Sequence, residues 1–174
     1  MLQAPTPGRV AILPMLNDTG ESWKDLRERF KTTEVEFFQK EFKDRKFALV
    51  PDQDIADAVK AAGLNFENED DRTRKNFFTV GTKLGVDYIV QVAVLGANQI
   101  DEKAGALSGS DASVRVKIWL LDVKNQKPII RGETFKEASG GLFVKGSDMK
   151  VHAFANTLGD AFKDFLKPYP VVKN

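Results

Sequence analysis

The sequence predicts an α/β (α+β) fold: one mixed sheet of about five strands, the first three parallel and the last two antiparallel, with helices packed on it. Three observations carry that prediction. Apolar runs at residues 10–16, 47–50 and 88–95 are separated by stretches whose apolar residues recur at helical spacing, the pattern of strands joined by crossover helices. Residues 113–120 then alternate polar and apolar and lead through a turn into another strand-like run, the pattern of an antiparallel pair with one face in water. Finally, no repeat, linker or shift of composition divides the chain, and 174 residues suit one domain.

Taken in order, residues 1–8 read as an extended, Pro-spaced tether, residues 9–167 as the domain and residues 168–174 as a tail. The first strand is the continuous run Val10-Ala11-Ile12-Leu13-Pro14-Met15-Leu16. A turn at Asn17-Asp18-Thr19-Gly20 leads to a helix from about Ser22 to Asp44, with Trp23, Leu26, Phe30, Phe37 and Phe42 on one side. Phe47-Ala48-Leu49-Val50 forms the second strand, and Asp52 stands where it would cap a helix carrying Ile55, Ala58, Val59 and Ala62. An acidic loop at residues 65–71 precedes a third helix with Phe77, Val80 and Leu84, closed by Gly85.

Residues 88–95 are the most β-branched run and mark a central strand. A Gly- and Ser-containing connection is expected over residues 101–111. Val114, Val116, Ile118 and Leu120 then alternate with Ser113, Arg115, Lys117 and Trp119, and residues 129–136 pair back after a turn at residues 124–128. The last helix carries Val151, Phe154, Ala155, Leu158, Phe162 and Phe165 as one stripe and ends before Pro168. Among thirteen phenylalanines, the neighbours Phe37-Phe38 and Phe77-Phe78 cannot share a helix face, so one ring of each pair is either exposed as a partner surface or, as for most adjacent aromatics, packed between neighbouring helices.

Composition excludes several function classes. The net charge of +1, without a basic block, gives no electrostatic footprint for nucleic acid. Cysteine is absent and His152 is the single histidine, so thiolate nucleophiles, His-based triads and multi-His metal sites are all excluded. The carboxylates Glu67, Glu69, Asp70 and Asp71 lack the ligand spacing of a calcium loop and suit a helix N-terminus instead. No catalytic residue, metal site or cofactor is expected. No apolar run approaches the roughly 20 residues that span a bilayer, and no insertion into a membrane is expected. The abrupt, Pro-spaced beginning fits an upstream signal or lipid-anchor segment, and a natural cytosolic terminus would read the same way.

Two loops qualify as binding sites by position. Asn17, Asp18, Thr19 and Gly20 follow the carboxyl end of the first strand, where open α/β sheets place ligands, although a turn and a helix cap explain the same residues. Residues 140–147 form a Gly-rich loop with Lys145 and Ser147 ahead of a helix, but the lysine does not follow the second glycine as a phosphate-binding loop requires.

The ordered set Arg9-Val10-Ala11-Ile12-Leu13-Pro14, Asn17-Asp18-Thr19-Gly20, Phe47-Ala48-Leu49-Val50-Pro51 and Leu84-Gly85-Val86-Asp87-Tyr88-Ile89-Val90 resembles bacterial envelope domains related to the curli secretion protein CsgG. That group includes the N-terminal domain of TolB and the penicillin-binding-protein activator LpoB. The resemblance covers roughly residues 9–165 and implies a mixed sheet with helices, a place in the periplasm or tethered to the outer membrane, and no catalysis. It transfers no functional residue. Channel-forming members carry long amphipathic hairpins that the sequence is read as lacking, so no secretion pore is expected. The expected function is a non-enzymatic, envelope-associated binding or assembly module, part of a lipoprotein or secreted protein, that recognises a protein partner. The alternative is a small-ligand or nucleotide-binding domain using the loops at Asn17-Gly20 and Gly140-Ser147.

Overall fold

The computed structural model describes residues 5–19, 24–104, 107–139 and 146–172. Its elements run β1 (Arg9–Ile12), β2 (Leu16–Asn17), α1 (Lys24–Lys43), β3 (Ala48–Leu49), α2 (Asp52–Ala61), a 3-10 turn (Glu69–Asp71), α3 (Arg74–Leu84), β4 (Tyr88–Ala104), β5 (Leu107–Asp122), β6 (Lys127–Ser139) and α4 (Gly146–Leu166). The six strands form one mixed sheet in the order β3-β1-β4-β5-β6, with β2 beside β4 beyond the end of β1. Strands β1 to β4 pair in parallel and β4 to β6 antiparallel. The fold class is therefore the expected one.

The connections put helices on both faces. The chain leaves β1 for β3 on one side and returns past β1 to β4 on the other, so right-handed crossovers carry α1 and the α2–α3 pair to opposite faces. Phe30, Phe38, Phe42, Phe154, Leu158 and Phe162 of α1 and α4 cover Val90, Val92, Val94, Val114 and Val116. Ile55, Ala58, Phe77, Phe78 and Val80 of α2 and α3 cover Ala11, Leu13, Ile89, Ala93, Trp119 and Leu121. Strand β4 is thus covered on both sides, which is why residues 88–95 read as an apolar run broken only by Gln91.

The first strand is two pieces rather than one. Pro14 has no N–H to give to a ladder, and between Ile12↔Val90 and Leu16↔Ala93 the β1–β2 segment advances four residues while β4 advances three. Asp52 is likewise not a cap. Pro51 occupies the N-cap position of α2 with no side-chain cap, and Asp52 and Asp54 act on the helix end through their charge. Helix α3 is capped by Thr73, whose hydroxyl accepts from Asn76 N at 3.2 Å, and it ends as expected on a left-handed Gly85.

Both phenylalanine pairs take the packed alternative. Phe77 and Phe78 are buried, and Phe37 is half-covered, with its ring 5.2 Å from Phe38 and 5.8 Å from Phe162. Helix α1 meets α4 as well as the sheet, and α3 meets α2 as well as the sheet, so apolar cover reaches two sides of each helix.

The largest departure is the connection expected at residues 101–111. Strand pairing continues through it, from Tyr88↔Asp122 out to Ala104↔Leu107, with one irregularity between Val94 and Gly96. The chain therefore does carry a long hairpin. Its far part is Gly-, Ser- and charge-containing, so β propensity alone does not mark it; backbone pairing with β4 supplies the order. Strand β6 extends the hairpin to a meander, and Pro128 sits on this outermost strand beside a second irregularity, the place a missing N–H costs least.

An ionisable carboxyl with no opposite charge bonded to it lies in the interior among the described residues. Glu34 of α1 is buried, its Oε1 has no hydrogen-bond partner among the described residues, and burial pushes its carboxyl up to about 8, with Lys31 opposing and Asp52 reinforcing the shift. Tyr88 is also raised above its ordinary value, first by burial and then by the neighbouring Tyr169 hydroxyl at 3.3 Å.

Two outcomes follow from this packing. Phe154 and Phe162 are fully enclosed, so Phe154→Ala and Phe162→Ala should each cost about 3–5 kcal/mol in denaturant titrations, and near-wild-type midpoints would place the stripe elsewhere. Folding raises the Glu34 pKa, so the folded chain holds a proton that the unfolded chain releases. Stability from this group is complete below the ordinary value of 4.5 and declines as pH rises through about 8, by at most about 1.4 kcal/mol per pH unit. Glu34→Gln should flatten that decline in thermal melts between pH 5 and 8; identical slopes for both proteins would refute the assignment.

Candidate functional site

The loop after β1 and β2 is built mostly from its own hydrogen bonds. Asn17 Oδ1 accepts from Thr19 N at 3.1 Å and Thr19 Oγ1 at 2.6 Å, the local turn that asparagine forms readily. Asp18 N donates to Val94 O at 2.8 Å, which holds the loop to β4. The Asp18 carboxylate receives both terminal nitrogens of Arg72. Arg72 also donates to Phe66 O at 2.6 Å and to Glu67 O at 3.0 Å, and only 6% of its side chain is exposed. A planar guanidinium with donors on three sides suits such a junction, because it satisfies two carbonyls and a carboxylate at once.

The structure thus brings Asn17, Asp18 and Thr19 together, while Gly20 lies outside the described residues. Sequence reasoning missed Arg72. Its signal was faint: the first of several basic residues after an acidic stretch, whose partner is 54 residues away. A polar cleft of about 250 Å³ adjoins this junction, lined by Met15, Leu16, Asn17, Asp18, Arg27, Glu67 and Arg72. Of the second candidate loop, residues 140–145 lie outside the described residues, and Gly146 and Ser147 open α4. His152 is exposed on α4. Among the described residues no group of three or more metal-ligating side chains occurs.

A second, larger cleft of about 440 Å³ opens next to the first. It lies beyond the carboxyl end of β1, between the helices that leave β1 and β3 for opposite faces, where open sheets leave a crevice. Met15, Leu16, Ile55, Val59, Leu64 and Phe66 give it apolar walls. Arg27, Lys60 and Glu67 also line it and are exposed to water, while Gln91 of β4 is 1% exposed.

The remaining surface feature is the side of β5 and β6 turned away from α4. Lys136 faces α4 and pairs with Asp160 at 2.6 Å, a bond that holds the Asp160 carboxyl below its usual value. Alternation therefore turns Arg131, Glu133 and Phe135 to the opposite side, opposite Trp119, Lys117 and Arg115 in the ladder. Lys117 Nζ sits 4.9 Å over the Trp119 ring. Phe135 is 52% exposed, and β6 is the last strand of the sheet.

No protein-family model and no curated protein matches the chain. Among solved structures, the lipoprotein GNA1162 from Neisseria meningitidis is similar at 15% identity, with a TM-score of 0.53, over 88% of this chain and 99% of that one. The LpoB C-terminal domain from Salmonella enterica is similar at 14% identity and TM-score 0.45, over 75% of this chain and 82% of that one. The LpoB C-terminal domain from Escherichia coli follows at 16% and 0.43, over 82% and 87%. The fold likeness rests on the first of these, and CsgG and TolB are not shown by it. The chain has the fold of the Neisseria meningitidis lipoprotein GNA1162.

Proposed function

We propose that the chain is a non-enzymatic binding or assembly module of a bacterial cell envelope, part of a lipoprotein or secreted protein, which recognises an envelope protein partner through the outer strand β6. The observation that carries this reading is the uncovered face of β5 and β6. There Phe135 stands exposed among Arg115, Arg131 and Glu133 on a strand with no further strand beside it among the described residues. An open edge offers unpaired backbone donors and acceptors, and an extended segment of a partner satisfies them while its side chains meet Phe135 and the flanking charges.

The compartment is supported by the likeness to an envelope lipoprotein over nearly the whole of that protein. No helix among the described residues is long and apolar enough to cross a membrane, which fits a module that works beside the bilayer. A second reading, a small-ligand or nucleotide binder using Asn17, Asp18, Thr19 and Gly20, is supported by the polar cleft beside that loop. Nucleotides and phosphate should raise the melting temperature only under that second reading.

A photo-reactive amino acid placed at Phe135 should give a discrete adduct with an envelope protein in cells. The same group at Val35, which is 50% exposed on α1, should not. Phe135→Asp should then weaken capture of that partner about tenfold or more, as loss of a central aromatic contact does. Equal labelling from both positions, or an adduct unaffected by Phe135→Asp, would defeat the assignment.

A further inference from the structure

We propose that the open edge of β4 beyond β2 takes up an extended peptide segment bearing a carboxylate, which Arg115 of β5 and Lys150 of α4 hold between them. The site lies at the opposite edge of the sheet from β6 and shares no lining residue with the polar cleft at Asp18 and Arg72, so the inference depends on neither reading above. It starts where β2 stops. Leu16 and Asn17 pair with Ala93 and Val94, and Asp18 N still donates to Val94 O. Beyond that point β4 runs on to Ala104 with β5 on one side and, among the described residues, no strand on the other.

Backbone alternation decides which groups that edge presents. Val90 O and Val94 O accept from Leu13 N and Asp18 N, so these residues turn their peptide groups toward β1 and β2, and they stand opposite Leu120 and Val116 of β5. The irregularity between Val94 and Gly96 inserts one residue, so that Ala97 comes opposite Val114, the next member of the same series. The N–H and C=O of Ala97 therefore point to the uncovered edge. A second peptide backbone satisfies both groups, whereas a free anion only accepts and satisfies the N–H alone.

The cleft at this edge has a volume of about 270 Å³, and Leu26, Leu95, Gly96, Ala97, Arg115 and Lys150 are among its walls. It has room for a residue or two of a chain rather than for a drug-sized molecule. Arg115 lies on the sheet face opposite to that of Val114 and Val116, and α4 packs over those valines, so the two cations reach the edge from opposite faces. Among the described residues neither cation is in an ion pair, and no carboxylate lines the cleft. Gly96 keeps the approach open, since a Cβ added there would meet nothing within 4 Å. Two like charges without a counter-charge select an anion, and the free backbone selects one carried on an extended chain.

The test titrates the full chain, followed by amide NMR, with N-acetyl-tetraalanine carrying a free C-terminal carboxylate, with its C-terminal amide, and with the amide of N-acetyl-Ala-Glu-Ala-Ala. All should shift the backbone signals of Ala97 and Asn98. The two carboxylates should bind about tenfold more tightly than the neutral amide, the factor of one charge-assisted hydrogen bond. The tighter of the two tells whether the group held is a chain end or a side chain. Arg115→Gln and Lys150→Gln should each bring the carboxylates close to the neutral peptide, whereas Lys124→Gln, at an exposed cation of the β5–β6 turn, should change nothing. Gly96→Phe fills the cleft and should block every peptide while the melting curve reports an intact fold; should it not fold, the two charge variants decide. Absence of binding, equal affinity for charged and neutral peptides, inorganic phosphate binding as tightly as the peptides, shifts centred away from Ala97, or unchanged binding by both charge variants would each overturn the proposal.

Discussion

Strand β4 needs apolar cover on both of its faces, and the placement of every helix answers that need. Its even-numbered valines, Val90, Val92 and Val94, face α1 and α4, while Ile89 and Ala93 face α2 and α3. A strand with only one covered face would expose half of this run to water, at about 25 cal/mol for each Å² of apolar surface. Covering both faces demands helices on both sides, and with right-handed connections that requires crossovers running in opposite directions from β1. The parallel half of the sheet, the order β3-β1-β4, and the crevice beyond β1 all follow from this demand.

The same demand is not met across the whole sheet. Helix α4 covers one side of β5 and β6, and α2 and α3 reach only as far as Trp119, which Phe77 touches at 5.7 Å. Beyond that point the outer face is left to Arg115, Arg131, Glu133 and Phe135. Strands in this region are polar on one side because only one side has a helix to bury it. The features available for recognition therefore lie where cover ends: the crevice at the head of the parallel strands and the outer strand of the antiparallel ones.

Polar groups in the interior divide by whether they are satisfied. Arg72 joins the carboxylate of Asp18 to two carbonyls of the segment before the 3-10 turn, so the charge is paired and its donors are used. Glu34 and Gln91 each keep one bare oxygen. Glu34 answers burial by holding its proton, since a neutral carboxyl loses less than a carboxylate on leaving water. Gln91 has no proton to adjust, and its oxygen stays without a partner among the described residues.

Local pattern alone determined the fold class, the stripe of α4, the left-handed end of α3 at Gly85 and the apolar strand β4, because each follows from periodicity or backbone preference within a few residues. The loop at Asn17-Asp18-Thr19 was legible as a turn for the same reason: its asparagine bonds to a residue two positions on. What tertiary structure decided are the properties that depend on a distant neighbour. Residues 101–104 and 107–111 are strand because each side of the hairpin supplies the other's backbone partners. Phe78 is buried because α3 packs against α2 as well as the sheet. Asp18 meets Arg72, and Gln91 meets the carbonyl of Pro14, across 54 and 77 residues. Such pairings leave no period in the sequence, since the chain must close a long loop before the two groups can touch.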